Sequence, residues 1–242
     1  MATTVDVIIP VLNEEHTIGR CVEMLRSFFN EHPDQQWSIL VADNGSTDNT
    51  IEVANGLMND SGDLRITHLE LRGRGRALKK AWLESNADIR CYMDVDLSTD
   101  LKHLPELVSA IADDGHSVAT GSRLLRDSDV VNRTLKREIT SRGYSALFRT
   151  MFFTKFRDAQ CGFKAISADA AGALVPLVKD NAWFFDTELL LIAQKNGYSI
   201  KEIPVRWVDD PDTRVKVIST AWEDIKGLLR LRFGGRPKVA NR

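Results

Sequence analysis

The feature that most constrains the fold of this chain is the alternation of short β-rich runs with helical patterns along its first half. The runs are Val5–Leu12, Trp37–Ala42, Ile66–Glu70 and Ile89–Val95, and a helical pattern follows each of them. Strands that alternate with helices favour βαβ units and a mainly parallel sheet flanked by helices. For a chain of 242 residues we expect one large α/β domain.

The second half of the sequence is less regular, and no internal repeat or low-complexity linker divides it. Strands are expected at Ser117–Gly121 and Tyr198–Val205 because these runs are apolar and β-branched. Helices are expected at Leu101–Ala112, from about Arg133 to Phe153, from about Asp186 onward, and at about Val217–Leu231.

Polar residues lie at or just beyond the ends of three predicted strands. Asn13 follows the first strand, Asp43 follows the second, and Asp94 and Asp96 end the fourth. In an open α/β sheet the ligand sits outside the carboxyl ends of the strands. We therefore expect these side chains to share one site.

The sequence Asp94-Val95-Asp96 places two carboxylates one residue apart at the end of an apolar strand. Two acids in such a position repel each other unless a cation or solvent offsets their charge. Carboxylate oxygens suit Mg²⁺ or Mn²⁺, which keep several waters and also take substrate phosphate oxygens. The pair predicts a divalent-metal site, and the alternative is a helix N-cap beside a solvated acid.

Asp43 and the loop Arg72–Arg76 each allow two interpretations. A carboxylate at a strand end can accept a hydrogen bond from a base or a ribose, but Asp-Asn-Gly also favours an ordinary turn. Glycines and arginines before a helix attract a diphosphate, although a solvated basic turn has the same composition. Because this loop, Asp43 and the acid pair share one face of the predicted sheet, nucleotide binding is favoured for all three.

Composition and charge narrow the class of protein. The net charge of −2 gives no sign of a nucleic-acid partner. No stretch approaches the roughly 18 to 20 apolar residues of a membrane span, and the segment Met1–Thr4 lacks the basic region of a signal peptide. Cys21, Cys91 and Cys161 form no CxxC pair, which indicates reduced thiols of a cytoplasmic protein.

The C-terminal region is basic and amphipathic. Residues 214–242 contain eight Lys or Arg and two acids, and apolar residues recur at near-helical spacing from Val217 to Leu231. One interpretation is a solvated tail after a helix that packs on the core. The other is a surface that meets anionic lipid, where each charge contributes up to about 1 kcal/mol.

With these residues identified, the chain resembles the family 2 glycosyltransferases of the GT-A fold, and among them the polyprenyl-phosphate (dolichyl-phosphate) mannose and glucose synthases. The resemblance implies a GT-A catalytic domain at residues 1–215 and a basic amphipathic helix with its tail at 216–242. The matching segments are Val7–Glu15, Val41–Asp48, Arg72–Leu78, Asp94–Leu97, Gly121–Arg123, Asp158–Lys164 and Phe185–Leu189.

The resemblance also implies roles for the candidate residues. Asp94 and Asp96 would serve the sugar and the Mg²⁺ or Mn²⁺ ion, Gln160 would line the sugar pocket, and Asp186 or Glu188 would act as a base or support the site. The remaining residues would contact the donor nucleotide (Pro10, Asn13, Glu15 and Asp43), the donor phosphates (Arg74, Arg76, Arg214 and Lys216) or the phosphate of a polyprenyl phosphate acceptor (Arg123, Arg137 and Ser141).

Two departures from the resembled enzymes are visible. Ser98 stands where mannose-type relatives often carry an amide, and the segment 209–216 replaces a Gly-Ser-Lys segment. The first leaves the third protein contact of the metal open, and Arg214 and Lys216 could still reach phosphate from the replaced segment. The sequence also leaves open the donor, GDP-mannose or UDP-glucose, and the acceptor.

The reaction that the resemblance implies is an inverting, single displacement from a nucleotide-sugar donor. A lipid phosphate acceptor needs no general base, whereas a hydroxyl acceptor needs a carboxylate within reach. A lipid acceptor would place the cytoplasmic chain at the inner face of a membrane. A regulatory nucleotide-sugar-binding module is disfavoured by the intact acid pair. A nucleotidyltransferase is disfavoured because Pro10–Glu15 replaces its phosphate loop.

Overall fold

The computed structural model describes residues 2–209 and 217–239, with side chains from Thr220 onward in the second range. The strands are β1 (Thr4–Val11), β2 (Gln36–Asp43), β3 (Leu64–His68), β4 (Ile89–Met93), β5 (Val118–Ser122), β6 (Asp129–Val131), β7 (Phe163–Ser167), β8 (Ile200–Pro204) and β9 (Arg206–Val208). The α-helices are α1 (Ile18–Glu31), α2 (Thr50–Gly56), α3 (Arg74–Glu84), α4 (Leu104–Ala112), α5 (Leu135–Phe152), α6 (Ala168–Leu174), α7 (Phe185–Lys195) and α8 (Val217–Phe233).

Seven strands form one sheet in the order β3-β2-β1-β4-β7-β5-β8, and β6 pairs with β9 in a small second sheet. Neighbours from β3 to β4 run parallel, as do β5 and β8, whereas β7 runs antiparallel to both of its neighbours. The mainly parallel sheet flanked by helices that the sequence predicts is confirmed. Val11 pairs with Asp43, so the loops after β1 and β2 leave the sheet at the same edge.

Helices cover both faces of the sheet because successive strand residues point to opposite sides. In β1, Val7 and Ile9 pack with residues of α1, α2 and α4, whereas Ile8 packs with residues of α3 and α5 to α8. The resulting core has three layers, and the carboxyl edge of the strands stays open between the two helical layers.

Strand β7 was not predicted from the sequence. It lies between β4 and β5, yet its second residue is Lys164, which has no exposed surface. A charged residue in a short run hides the apolar pattern that marks a buried strand. The predicted strand at Tyr198–Val205 is also divided, because β8 ends at Pro204 and β9 begins at Arg206.

Helix α8 packs on the layer that contains α5 and α7. Leu228 is 0% and Leu231 2% exposed, and a Cβ built at Gly227 would overlap the ring of Phe184. The C-terminal helix is therefore part of the same core as the sheet. No helix within the described ranges is long and apolar enough to cross a membrane.

The three cysteines are structural. Cys21, Cys91 and Cys161 are free and buried, and burial raises the pKa of each thiol. A thiol with a raised pKa is a poor nucleophile at neutral pH, which agrees with the prediction from their spacing.

Candidate active site

Two carboxylates lie just beyond the end of β4. The side chain of Asp94 is 24% exposed and forms an ion pair with Arg74. Asp96 is exposed, and its Oδ1 accepts a hydrogen bond from the backbone N–H of Ser98 at 2.9 Å. Leu97 has a φ of +53°, which turns the chain after the pair. The acid pair thus lies at the strand end as predicted, with Asp94 against the protein and Asp96 toward solvent.

Gly162 provides the space for the Asp94 carboxylate. Met93 in β4 pairs with Phe163 in β7, so the residue before β7 lies beside the residue after β4. A Cβ built at Gly162 would overlap the Asp94 carboxylate. Glycine is required here because the backbone approaches another group closely.

The chemistry of the acid pair fits a divalent cation. Mg²⁺ and Mn²⁺ accept carboxylate oxygens and complete their coordination with waters and substrate phosphates rather than with an all-protein cage. In residues 2–209 and 217–239, no three or more His, Cys, Asp or Glu side chains are arranged to hold a metal. Asp94 and Asp96 are the residues that would hold the cation, together with oxygens of the donor diphosphate.

Arg74, in the first turn of α3, is the basic residue that reaches the acid pair. Its guanidinium lies 5.5 Å from the ring centre of Tyr92 and 5.1 Å from that of Trp183. Burial by itself lowers the pKa of this guanidinium, but Asp94 and Asp186 raise it above its ordinary value. Nε of Arg74 is buried and lacks a hydrogen-bond partner among the described residues.

The loop before α3 is held to the loop after β2. Gly73 has a φ of +151°, and its N–H donates to the side chain of Asn44. Nη1 of Arg76 donates to the carbonyl of Arg72 at 3.2 Å. The structure therefore brings Arg74 to the acid pair, while a phosphate contact of Arg76 stays a prediction.

Asp43 is buried and closes the turn after β2. Its carboxylate has no exposed surface and accepts hydrogen bonds from the N–H groups of Gly45 at 3.1 Å and Ser46 at 3.3 Å. The same carboxylate lies 2.7 Å from Nδ1 of His68, whose side chain is 47% exposed. The turn interpretation is confirmed, and a direct contact of Asp43 with a nucleotide stays a prediction.

The loop after β1 is bound to the loop after β2. Asn13 has a φ of +57°, and its Oδ1 accepts from the N–H of Thr47 at 2.8 Å. Oε2 of Glu15 accepts from the backbone and side-chain N–H groups of Asn49 at 3.0 and 2.9 Å. Pro10 is buried within β1. These residues shape the carboxyl edge of the sheet, and their nucleotide contacts stay predictions.

Arg123, the first residue after β5, is clamped by Asp158. Its Nε and Nη2 donate to the two carboxylate oxygens at 2.8 and 2.9 Å, and its guanidinium lies 4.9 Å from the ring centre of Trp207. Burial raises the pKa of Asp158, but Arg123 outweighs burial and lowers that pKa to about 2. The structure thus fixes the guanidinium at the end of β5, and its contact with an acceptor phosphate stays a prediction.

Arg137 and Ser141 lie one turn apart on α5, as predicted. Nη1 of Arg137 is 3.3 Å from Oδ1 of Asp209, and Ser141 is partly exposed. Since an aspartate already neutralises part of the guanidinium charge, an acceptor phosphate would have to share Arg137 with Asp209. The acceptor role of both residues stays a prediction.

Arg133 is a basic residue of this region that the sequence did not identify. Its side chain is 7% exposed, and Nε lies 3.0 Å from the carboxylate of Glu138. Nε and Nη1 nevertheless make no hydrogen bond to any described residue. Burial and the charge of Arg123 lower the pKa of Arg133. A buried guanidinium beside a second one is a place where an anion would be stabilised.

Asp186 lies beneath the site rather than in it. The residue is 5% exposed, accepts a hydrogen bond from the hydroxyl of Tyr92 and lies 3.0 Å from Nζ of Lys164. Burial, and after it the charge of Asp186, raise the pKa of Tyr92 well above its ordinary value. A carboxylate held by a lysine and a tyrosine supports the strand that carries Asp94, which favours the supporting role over that of a base.

Glu188 is fully buried and paired. Its oxygens accept from Nη1 and Nη2 of Arg230 in α8 at 2.9 and 2.8 Å, and Oε2 also accepts from the N–H of Asp180 at 2.8 Å. Both oxygens of this carboxylate are therefore paired within the protein. That pairing favours the supporting role for Glu188 over that of a base.

Gln160 lies in the loop before β7, close to the acid pair. Its Nε2 donates to Oδ2 of Asp224 in α8 at 2.6 Å, so the amide is fixed by a residue of the C-terminal helix. Arg214 and Lys216, which were predicted to reach the donor phosphates, lie outside the described residues.

A surface cavity of about 390 Å³ opens beside the loop before α3. The acids Asp94 and Asp96 are not part of its wall. Its lining residues are Arg72, Gly73, Lys179, Asp180, Asn181, Ala182 and Arg230.

Comparison with known proteins decides the family. The family described as Glycosyl transferase family 2 matches residues 6–175, a range that contains Arg74, Asp94, Asp96 and Gln160. The chain belongs to this family. The family resemblance predicted from the sequence is confirmed, and this family 2 glycosyltransferase continues beyond the matched range through α7 and α8.

Sequence relatives of this family 2 glycosyltransferase cover most of its chain. Glycosyltransferase AglD of Haloferax volcanii is 40% identical over 229 residues, which are 93% of this chain and 35% of that protein. The chain thus spans about a third of the length of that relative. A dolichyl-phosphate beta-glucosyltransferase of Dictyostelium discoideum is 28% identical over 94% of this chain and 73% of its own length.

A solved structure agrees with the fold. Glucosyl-3-phosphoglycerate synthase of Mycobacterium tuberculosis, in complex with phosphoglyceric acid, matches with a TM-score of 0.71 and 19% identity, over 97% of this chain and 81% of that one. The GT-A type of fold predicted for this family 2 glycosyltransferase is confirmed.

Several residues of the site were missed by sequence reasoning. Lys164 is a charged residue between apolar ones, and such a residue is buried only when it has a partner or a function. That rule was the available signal for Lys164, whereas Asp224 stands beside Glu223 and carried no such signal. Arg133 lies four positions before Arg137, a spacing that places both near the start of α5. For Trp183 and His68 the sequence carried no comparable signal.

Proposed function

We propose that this chain is an inverting hexosyltransferase that moves a hexose, glucose in the first instance, from a nucleotide sugar to a polyprenyl phosphate. Glucose and the lipid acceptor are suggested by relatives named dolichyl-phosphate beta-glucosyltransferase in Dictyostelium discoideum and Homo sapiens. A uridine nucleotide is suggested by the synthase of similar fold that was solved with Mn²⁺ and uridine-diphosphate-glucose.

The observation that carries the proposal is the pairing of the three acids that the family segments bring to the site. Asp158, Asp186 and Glu188 are buried, and each is paired with an arginine or a lysine. A hydroxyl acceptor needs a general base within hydrogen-bond reach, and none of these three carboxylates is free for that task. A phosphate acceptor is already anionic at neutral pH and needs no base, so the paired acids favour it.

The basic residues at the end of β5 and near the start of α5 suit such an acceptor. The guanidinium groups of Arg123 and Arg133 lie close together, so that the charge of Arg123 lowers the pKa of Arg133. Two Arg133 nitrogens make no hydrogen bond to a described residue. Arginine binds phosphate oxygens with two parallel N–H groups, so it orients the nucleophile as well as attracting it. Arg137 and Ser141 lie one helical turn further along α5.

The reaction requires one bond to form and one to break. An oxygen of the acceptor phosphate attacks the anomeric carbon while the bond from that carbon to the donor diphosphate breaks, and the electron pair leaves with the diphosphate. Arg74 lies against Asp94 and places positive charge near the position where negative charge develops. When bound at Asp94 and Asp96, a divalent cation supplies further positive charge there. Attack from the face opposite the leaving group gives inversion.

A polyprenyl acceptor lies in a bilayer, and a lipid-binding surface on this chain would bring the site to it. Helix α5 and its C-cap expose Leu135, Ile139 and Phe153 at 76%, 63% and 81%. Helix α8, which packs beside α5, exposes Trp222, Leu229 and Phe233 at 58%, 44% and 82%. The exposed apolar residues form one stripe on each helix, with exposed lysines and arginines between them. Such a surface fits the headgroup region of an anionic membrane.

The proposed function is tested by a transfer assay. The protein is incubated with UDP-glucose or GDP-mannose, Mn²⁺ or Mg²⁺ and a short polyprenyl phosphate, and the lipid product is identified by mass spectrometry. A hexosyl-phosphate lipid that forms with wild type and not with Asp96→Ala is the expected result. Product on the dephosphorylated polyprenol or on a soluble sugar, and none on the phosphate, would contradict the proposed acceptor.

A further inference from the structure

Asp224, in the second turn of α8, is a buried acid that the reaction described above does not use. The residue is 3% exposed. Oδ2 accepts from Nε2 of Gln160 at 2.6 Å, whereas Oδ1 is buried and has no hydrogen-bond partner among the described residues. Because leaving a buried acceptor unpaired costs free energy, such an atom in a folded protein requires an explanation.

The position of Asp224 places that atom beside the site. Its partner Gln160 stands two positions before Gly162, the residue that packs directly on the Asp94 carboxylate. Asp224 is also near enough to Asp186 for the two charges to interact. The side chain therefore lies between the loop before β7, which packs on Asp94 through Gly162, and the start of α7.

The surroundings of Asp224 differ from those of the other buried acids. Asp158, Asp186 and Glu188 each have an arginine or lysine partner, whereas no described cation pairs with Asp224. Four ionisable groups face it. They are Asp180 before α7, Asp186 in the first turn of α7, Glu223 of α8 and Tyr144 of α5. Burial raises the pKa of Asp224 to about 7; the Gln160 hydrogen bond opposes this rise, and the three neighbouring acids add to it.

A buried acceptor atom without a partner needs a hydrogen-bond donor, and a bound ligand can supply one. Hydroxyl groups of a hexose are neutral donors, and the donor sugar must lie between the diphosphate at Asp94 and the acceptor. Since Nε2 of Gln160 is taken by Asp224, the carbonyl oxygen of the same amide remains to accept from a second hydroxyl. A carboxylate and an amide that hold each other present two fixed acceptors to one sugar.

We propose that Asp224 is a hexose-binding residue, which accepts a hydrogen bond from one sugar hydroxyl through Oδ1 and fixes the Gln160 amide for another. This inference rests on the proposed function, because it takes the bound donor to be a nucleotide sugar. It gives α8 a second role besides packing, since the C-terminal helix then completes the donor pocket. A site built to hydrogen-bond a hydroxyl also discriminates strongly against a sugar that lacks it.

The test separates sugar binding from nucleotide binding. Calorimetry with Mn²⁺ measures the affinities of UDP-glucose and UDP for wild type, Asp224→Asn, Asp224→Ala and Gln160→Ala. The control is Glu223→Gln, which changes the neighbouring acid, 63% exposed and paired with Lys226. Melting temperatures identify any variant that fails to fold, and the conservative Asp224→Asn is the variant on which the conclusion depends.

We expect each Asp224 variant to bind UDP-glucose about tenfold or more weakly, the size of a lost hydrogen bond to a charged group, with UDP affinity changed less than twofold. The double variant Asp224→Ala with Gln160→Ala should lose less than the product of the single losses, because the two residues act together. Equal losses for UDP-glucose and UDP, or unchanged binding of both, would overturn the inference.

Two further outcomes distinguish this inference from the proposed function. If wild type binds UDP-glucose but transfers no sugar to polyprenyl phosphate, the proposed acceptor fails and the Asp224 comparison still decides the inference. If Asp224→Asn binds UDP-glucose normally but loses turnover, Asp224 acts on the reaction and not on sugar binding, and the inference is wrong.

Discussion

At the scale of single residues, the acids of this site differ in the groups that pair with them. This difference predicts how the substitution of each acid affects stability and activity. Asp96 is exposed and makes one backbone hydrogen bond, to Ser98. Its removal should leave the fold intact, because only the N–H of Ser98 loses a partner. Loss of metal-assisted charge stabilisation should lower kcat/KM at least about 100-fold, or about 3 kcal/mol.

The measurement for Asp96→Ala is turnover across a Mn²⁺ titration beside a thermal melt. A normal melting temperature with activity reduced at every Mn²⁺ concentration is the expected pair of results. Wild-type activity in this variant and in Asp94→Ala would remove the metal assignment.

Asp224 should make stability depend on pH in the direction opposite to that of most acids. Its folded pKa of about 7 lies above the ordinary value of about 3.9, so the folded protein binds a proton more readily than the unfolded chain. The free energy of unfolding therefore falls as pH rises from about 4 to about 7. Relative to wild type, Asp224→Asn should gain stability over this range, by up to about 4 kcal/mol.

Urea unfolding of wild type and Asp224→Asn at pH 5 and pH 8 checks this expectation, with Glu223→Gln as the exposed control. A difference between the two proteins that is the same at both pH values would show that Asp224 does not titrate in this range.

The arginines near the start of α5 should affect the acceptor more than the donor. Arg133→Ala and Arg137→Ala remove guanidinium groups on the side of Arg123, and we expect each to raise the KM for polyprenyl phosphate about tenfold or more. The matched control is Arg142→Ala, because Arg142 is 62% exposed and paired with Glu138 on the same helix. Donor affinity by calorimetry, measured beside acceptor kinetics, decides the point. Equal losses toward donor and acceptor would indicate structural arginines.

At the scale of elements, α5 and α8 present the exposed apolar side chains that the proposed membrane contact uses. The tail after α8 is partly bound to the rest of the protein, because the side chain of Asn196 forms hydrogen bonds with the carbonyl of Pro237 and the N–H of Val239. Arg236 lies over the ring of Phe152 at 5.2 Å. We therefore expect the stripe of α8 to contribute more to lipid binding than the tail does.

Liposome co-sedimentation with anionic and neutral vesicles, at low and high salt, compares three proteins with wild type. Trp222→Ser with Phe233→Ser should reduce binding to anionic vesicles several-fold, and truncation after Phe233 should reduce it less. Met58→Ser is the control, an exposed apolar residue at 51% exposure away from both helices. Binding that is insensitive to lipid charge and to all of these changes would contradict a membrane role for α8.

At the scale of the whole molecule, the sequence predicted the parts that depend on local pattern. Strands β1 to β4 were predicted because each is an apolar run that ends in polar residues, and the acid pair followed from the same pattern. Strand β7 was not, because the charge of the buried Lys164 is balanced by Asp186, on a helix distant in sequence. The contact of Gln160 with Asp224 was missed for the same reason. Partners that meet only in the folded chain leave no local signal.

The ion pair between Glu188 and Arg230 is the contact that should most affect the stability of the whole chain, since it joins α8 to α7. Glu188 has no exposed surface, whereas the Arg230 side chain is 38% exposed. Arg230→Ala would leave an unpaired carboxylate in the core, which typically costs about 3 to 5 kcal/mol. Because solvent reaches the arginine, we expect a smaller loss than this, about 2 to 3 kcal/mol.

The matched control for Arg230→Ala is Lys226→Ala, one turn earlier on α8, where the partner Glu223 is 63% exposed. That change should alter the free energy of unfolding by less than about 0.5 kcal/mol. Adding Glu188→Gln to Arg230→Ala removes the unpaired charge and should recover part of the loss. If urea unfolding finds Arg230→Ala no less stable than Lys226→Ala, then apolar packing of Leu228 and Leu231, and not this ion pair, holds the C-terminal helix in place.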